Sequence, residues 1–238
     1  SGARYNSAGD DQVRPVWLPI YFVLTWLALP FAICYHWYRS ISRGRKSAFA
    51  ERFGFVPYNV KNRLAGQQVI WVHAVSVGET IAARPMLKGL RQRYPDYCLL
   101  LSVTTETGRG VAEKDNLADL VIYFSFDIGF AVKRLLNLAA PMMIIIMETE
   151  IWPVFTLEAS HRRIPIFLAN GRISARSFPR YQRFTWFFRP ILAHFTRLGM
   201  QSQQDLERII AIGAPPELCQ VTGNLKYDIP YGAVTEQE

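Results

Sequence analysis

The chain has 238 residues, half of them hydrophobic and 19% charged, with 27 Lys and Arg against 19 Asp and Glu for a formal charge of +8. This composition excludes a disordered chain, which needs low hydrophobicity and high charge. Three cysteines (Cys34, Cys98, Cys219) are too few, and odd in number, for a disulfide scaffold.

Residues 1–15 read as a flexible lead. Residues 16–38, VWLPIYFVLTWLALPFAICYHWY, contain no Lys, Arg, Asp or Glu. As a helix rising ~1.5 Å per residue they extend ~34 Å, enough for a hydrocarbon core of ~30 Å. Trp17, Tyr21, Trp37 and Tyr38 lie near the two ends, where amphipathic rings favour the lipid–water interface. Pro19 and Pro30 count against a straight helix and leave a kinked or re-entrant segment open. A buried core helix is the competing reading, but the run is apolar on all faces. The expectation is an N-terminal membrane helix.

Residues 39–65 form a basic juxtamembrane region: Arg39, Arg43, Arg45, Lys46, Arg52, Lys61 and Arg63 against Glu51 alone, +6 of the +8. The positive-inside rule places this side in the cytoplasm, where basic residues attract anionic inner-membrane lipids. The charge is thus accounted for without nucleic acid, and no nucleic-acid-binding motif accompanies it.

From about residue 66 short apolar runs alternate with helical stretches. Strands are expected at 68–75, 99–103, 120–124, 142–147, 164–169 and 197–200. Helices are expected near 78–93, 108–116, 129–138, 151–160, 177–193 and 203–211. Runs such as VIWVHAV and MMIIIM are apolar on both faces, as central parallel strands are. Regular alternation points to an α/β fold with a doubly wound, Rossmann-like parallel sheet over 66–222.

Ligands of such sheets bind at the carboxyl ends of the strands. Five loops fall there, and all carry polar, charged or glycine residues. VHAVSVGET offers Ser76, Gly78 and Glu79; SVTTETGRG offers Thr104, Thr105, Thr107, Gly108 and Gly110. FSFDIG places Asp127 at an expected N-cap, and METEIWP places Glu148, Glu150 and Trp152 after the most apolar strand. LANGRISARS offers Asn170, Arg172, Ser174, Arg176 and Ser177.

Glu79 has two readings. In a first helical turn it favours the positive end of the helix dipole. At the sheet opening it is also suited to take a proton from a substrate hydroxyl, provided burial offsets the acidifying dipole. The Thr-rich loop reads as N-caps and an ST-turn, or as an anion or sugar-hydroxyl site. Glu148 and Glu150 alternate on an extended segment and so face one side. They suit polyol binding, a metal, or a salt bridge with Arg172 or Arg176.

No G-x-G-x-x-G follows the first strand, and no P-loop occurs. His36, His73, His161 and His194 lack metal spacing, so no metal or cofactor is expected. His73 reads as a hydrogen-bonded structural histidine of a buried strand, the cysteines as packing residues, and Trp186–Phe188 as the docking face of a helix.

The strings WVHAVSVGE, TTETG, METEIWP, NGRISARS and VTGNLKYD, in this order and with ERFG (Glu51–Gly54) before them, resemble the 3-deoxy-D-manno-octulosonic acid (Kdo) transferases of lipopolysaccharide synthesis. The resemblance covers residues 16 to 228. It implies the N-terminal half of a GT-B glycosyltransferase on the cytoplasmic face of the bacterial inner membrane. It also implies inverting transfer from the donor CMP-Kdo to the acceptor lipid IV-A, with no metal at the donor phosphate. By the same resemblance Glu79 is the general base. Ser76, Gly78, Thr104, Thr105, Gly108, Glu148, Glu150, Asn170, Arg172 and Ser174 would line the acceptor side. Arg172 and Arg176 are candidates for acceptor phosphates. Three positions depart from the family's pattern: Ser125 for its usual Pro, Val154 for Asn, and Gly171 for Ala. GNLKYD is where the family crosses to its donor domain, so 223–238 is expected to start the interdomain linker. The competing expectation is a non-catalytic, membrane-anchored glycolipid-binding or partner module using the same loops.

Overall fold

A computed structural model gives the fold. It describes residues 49–225 together with Pro19, Tyr21, Val23, Thr25, Leu27, Pro30 and Phe31, which lie in helix. The lead 1–15 and most of 16–38, 39–48 and 226–238 fall outside the described residues. Among the described residues no helix is long and apolar enough to cross a membrane.

Seven strands form one parallel sheet: β1 (Val69–Ala74), β2 (Cys98–Val103), β3 (Leu120–Tyr123), β4 (Met143–Met147), β5 (Ile166–Gly171), β6 (Arg197–Met200) and β7 (Cys219–Val221). Their order is β3-β2-β1-β4-β5-β6-β7. Val72, at the centre of β1, pairs with Leu101 on one side and Ile145 on the other. Every residue of β1 and β2 is buried. Alternation of side chains divides them between two cores. Val69, Trp71 and Leu100 join Phe124 and Phe155 on one face, while Ile70, Val72, Leu99 and Leu101 join Leu87 and Ile145 on the other. Two covered faces explain the continuous apolar runs, and the doubly wound parallel sheet expected from the sequence is present.

The helices are α1 (Phe49–Arg52), α2 (Tyr58–Leu64), α3 (Val77–Ala82), α4 (Arg84–Arg93), α5 (Glu106–Lys114), α6 (Gly129–Ala139), α7 (Pro153–His161), α8 (Phe178–Arg183), α9 (Thr185–Leu192) and α10 (Gln203–Ala211). The helix expected over 78–93 divides at Ala83 into α3 and α4, where Pro85 lacks the N–H that a continuing helix needs. The helix expected over 177–193 divides at Phe184, where the Thr185 hydroxyl takes up the Gln182 carbonyl at 2.7 Å.

Of the basic region 39–65, residues 49–65 are described. Its later part is α1 and α2, and Arg52 turns inward at 7% exposure. Arg52 Nη2 donates to the Thr104 carbonyl at 2.7 Å and its guanidinium lies over the Tyr123 ring. Arg109 covers the same ring and binds Glu51 at 2.9 Å. The ERFG segment therefore clamps the second loop of the sheet opening, and Arg52 is not available to lipid. Gly54 turns the chain at φ +79°, with a built Cβ only 2.7 Å from the Ala131 carbonyl.

Candidate active site at the switch point

After β1 the chain winds outward to β2 and β3; after β4 it winds the other way. The loops that follow β1 and β4 therefore separate, and a crevice opens between them. Glu79 stands on the first of these loops, Glu148 and Glu150 on the second.

Hydrogen bonds between loops assemble the rim. Thr104 N–H donates to the Val75 carbonyl at 3.3 Å, which ties the first loop to the second. Glu148 N–H donates to the Ala169 carbonyl at 2.9 Å, and the Thr149 hydroxyl binds the Arg172 carbonyl and accepts the Arg172 N–H. The fourth and fifth loops are thus one unit. Gly108 lets α5 close on α3: its N–H donates to the Thr105 hydroxyl at 3.1 Å, and a Cβ there would sit 2.8 Å from that hydroxyl and 3.5 Å from the Thr80 hydroxyl.

Glu79 is 5% exposed at the third position of α3. Its Oε2 accepts from Val75 N–H and its Oε1 from the Ser76 hydroxyl, each at 2.8 Å. The Glu79 N–H returns a bond to the Ser76 hydroxyl, closing a capping box. Burial raises the Glu79 pKa above the usual carboxylate value; the Val75 and Ser76 bonds oppose this, and the Glu148 charge adds to it. Each carboxylate oxygen keeps a second lone pair for a substrate proton. The burial that a base beside a helix dipole requires is therefore present.

Glu150 is pushed up to about 7, first by burial and then by the charges of Glu79 and Glu148. On α8, burial raises the Tyr181 pKa and the Glu150 charge adds to it. No sequence pattern singles out Tyr181. Glu148 and Glu150 do not sit on an extended segment as expected. Glu148 has φ +55°, so the chain turns at once after β4. No ion pair joins either one to Arg172 or Arg176, and among the described residues no group of three His, Cys, Asp or Glu is placed to hold a metal ion.

The remaining expected site residues divide by exposure. Gly78, Arg172, Ser174 and Arg176 are exposed; Ser76, Thr104 and Thr105 are half-buried. Asn170 is buried at φ +58°, with its side-chain oxygen accepting from Leu225 N–H at 3.1 Å. The Thr104 hydroxyl, the Trp152 indole N–H and the Asn170 side-chain nitrogen are buried without a hydrogen-bond partner. Two structural readings hold. His73 is fully buried, stacked on Phe124 and 2.9 Å from the Ser102 hydroxyl, with its pKa pushed down to about 3 by burial. Cys98 is buried in the core and Cys219 packs half-buried against it, both as free thiols, and Cys34 lies outside the described residues. Asp127 differs: its own helix is capped at Ile128, and its carboxylate instead accepts from Val154 and Phe155 N–H at the start of α7, at 2.9 and 2.8 Å. Gly171 is explained by packing, since a Cβ there would lie 2.6 Å from Met200 Sδ.

A parallel Rossmann-like sheet with the buried Glu79 carboxylate beside its switch point defines an α/β domain of the doubly wound class. The sequence family described as 3-Deoxy-D-manno-octulosonic-acid transferase (kdotransferase) matches residues 47–229, and the chain belongs to that family. It is 32% identical to the 3-deoxy-D-manno-octulosonic acid transferase of Haemophilus influenzae over 90% of this chain and 50% of the relative. It is 34% identical to the enzyme of that name from Bordetella pertussis, over 67% of this chain and 38% of the relative. The chain spans about half the length, or less, of these curated relatives. Among solved structures, Anabaena HepE in complex with UDP-glucose aligns with a TM-score of 0.52 at 17% identity, over 66% of this chain and 43% of that one. Staphylococcus aureus MnaA with UDP aligns at 0.50 and 16% identity, over 68% and 46%. These two likenesses concern the fold.

Proposed function

We propose that the chain is the acceptor half of an inverting GT-B Kdo transferase, with CMP-Kdo as donor and lipid IV-A as acceptor. Glu79 takes the proton of the 6'-hydroxyl of the distal glucosamine as that oxygen attacks the anomeric carbon of Kdo and CMP departs. The donor is held by a domain outside this chain. The observation that carries the reading is Glu79 itself: a buried carboxylate at the switch point, raised in pKa and fixed through both oxygens. Fixed orientation and a pKa moved towards neutrality are what general base catalysis needs.

Charge supports an anionic acceptor. Between Glu158 and Asp205 the chain has eight arginines and no acidic residue. Arg172 and Arg176 stand exposed on this stretch beside the rim, where they can take acceptor phosphates. Action on a lipid agrees with the apolar run 16–38, the basic residues after it and a place on the cytoplasmic face of the inner membrane. The test is transfer by the complete protein from CMP-Kdo to lipid IV-A, with the anomeric configuration of the product read by NMR. An inverted Kdo linkage at the 6'-oxygen is expected. Transfer only from a different sugar donor, or with retained configuration, contradicts the reading.

A further inference from the structure

Tyr21 lies in the apolar run that reads as a membrane segment, yet its hydroxyl donates to Asp127 Oδ2 at 2.9 Å across 106 residues of sequence. Its ring meets Phe187 of α9 at 5.9 Å and packs among Ile151 and Leu157. The described residues of this segment have two faces. Tyr21 and Thr25 are half-buried, while Val23, Leu27 and Phe31 are 58%, 63% and 79% exposed at every fourth position.

Asp127 is the hub beneath this contact. It is 7% exposed, and α7 depends on it: the N-cap position is Trp152, whose side chain caps nothing, and Pro153 has no N–H to offer. The first two free N–H groups of α7, on Val154 and Phe155, go to Asp127. An acceptor from another loop thus does what an N-cap residue does locally. The loop that carries Asp127 is held in turn by Phe126 N–H on the Arg52 carbonyl at 2.8 Å. Three residues before α7 stands Glu150, joined by a tight turn in which Ile151 N–H binds the Thr149 carbonyl at 3.1 Å. Glu150 thus stands close in sequence to the N–H groups that Asp127 holds.

We propose that Tyr21 is a positioning residue: through Asp127 and the start of α7 it sets the Glu150 side of the crevice, so that seating of the N-terminal segment is coupled to acceptor binding. The link to acceptor binding rests on the function proposed above; the mechanical coupling does not. The experiment uses the complete protein and Tyr21→Phe, which removes one hydroxyl and keeps the ring. Hydrogen exchange at Val154 and Phe155 quickens by about fivefold or more, while the amides of α3 are unchanged. The acceptor KM rises by about threefold to tenfold with the donor KM unmoved. General destabilisation would instead quicken exchange in α3 as well and show no contrast between the two KM values. Asp127→Asn, which weakens the same hub from the other side, reproduces the exchange pattern. Unchanged exchange at Val154 and Phe155 in Tyr21→Phe overturns the coupling. Faster exchange with an unchanged acceptor KM overturns its link to the site. The exchange arm reads out even if the protein transfers a different sugar.

Discussion

The Ser76 hydroxyl donates to Glu79 Oε1 at 2.8 Å and accepts the Glu79 N–H at 3.3 Å, so one side chain both starts the helix and holds the carboxylate. The two readings of Glu79, helix cap and proton acceptor, are therefore compatible: the cap fixes the orientation that the base requires.

Ser76→Ala separates these contributions. Loss of the N-cap costs roughly 0.5–2 kcal/mol of stability. Loss of a donor to the ionised carboxylate raises the Glu79 pKa further, since that bond favours the charged form. The acidic limb of the kcat/KM profile moves to higher pH. A pH–rate profile of the variant checks this, and an unmoved limb contradicts it.

Glu150 makes stability depend on pH. Its pKa rises from 4.5 in a free chain to about 7 in the fold. The folded state thus binds the proton more tightly than the unfolded chain, and the stability this gives is complete below about pH 4.5 and lost as pH climbs through 7. Glu150→Gln keeps the side chain neutral throughout. Thermal unfolding from pH 5 to 8 should show the wild-type midpoint falling relative to the variant's, with the gap opening as pH rises.

Two glycines with left-handed backbones separate strain from collision. Gly54 has φ +79° and would place a Cβ 2.7 Å from the Ala131 carbonyl, whereas Gly66 has φ +72° and open space. Gly66→Ala carries only the conformational cost, about 1 kcal/mol. Gly54→Ala adds a clash with backbone, and its total reaches roughly 3 kcal/mol or more. Denaturant unfolding of both variants measures the difference.

Arg52 supports the second loop by one charged hydrogen bond to Thr104 and by stacking on Tyr123. Arg52→Ala loses roughly 1.5–3 kcal/mol on the bond alone. Arg52→Lys keeps the charge but not the planar stack, and should recover only part of the melting temperature. Full recovery by lysine would show that charge alone is required.

The sheet was legible because its central strands are apolar on both faces: VIWVHA and MIIIM announce themselves without any structural context. The position of Glu79 was legible for the same reason, since a strand that ends clearly fixes the loop after it. What escaped depended on contacts distant in sequence. Asp127 reads as a cap for the helix beside it and caps one that starts 26 residues later. Arg52 reads as part of a basic run and is buried by a stack that only folding creates. Glu148 breaks the expected alternation because the chain turns left-handed directly after β4. β7 has three residues at the sheet edge, two of them exposed, too short and too polar a signal to stand out.

The central claim is that Glu79 is the base. The most direct measurement is single-turnover Kdo transfer by the complete protein carrying Glu79→Gln, alongside acceptor binding by the same variant. The amide keeps the size of the side chain and removes its basicity. Transfer should fall by about a hundredfold to ten-thousandfold while acceptor affinity holds. Transfer at the wild-type rate, in a variant that binds acceptor normally, contradicts the account.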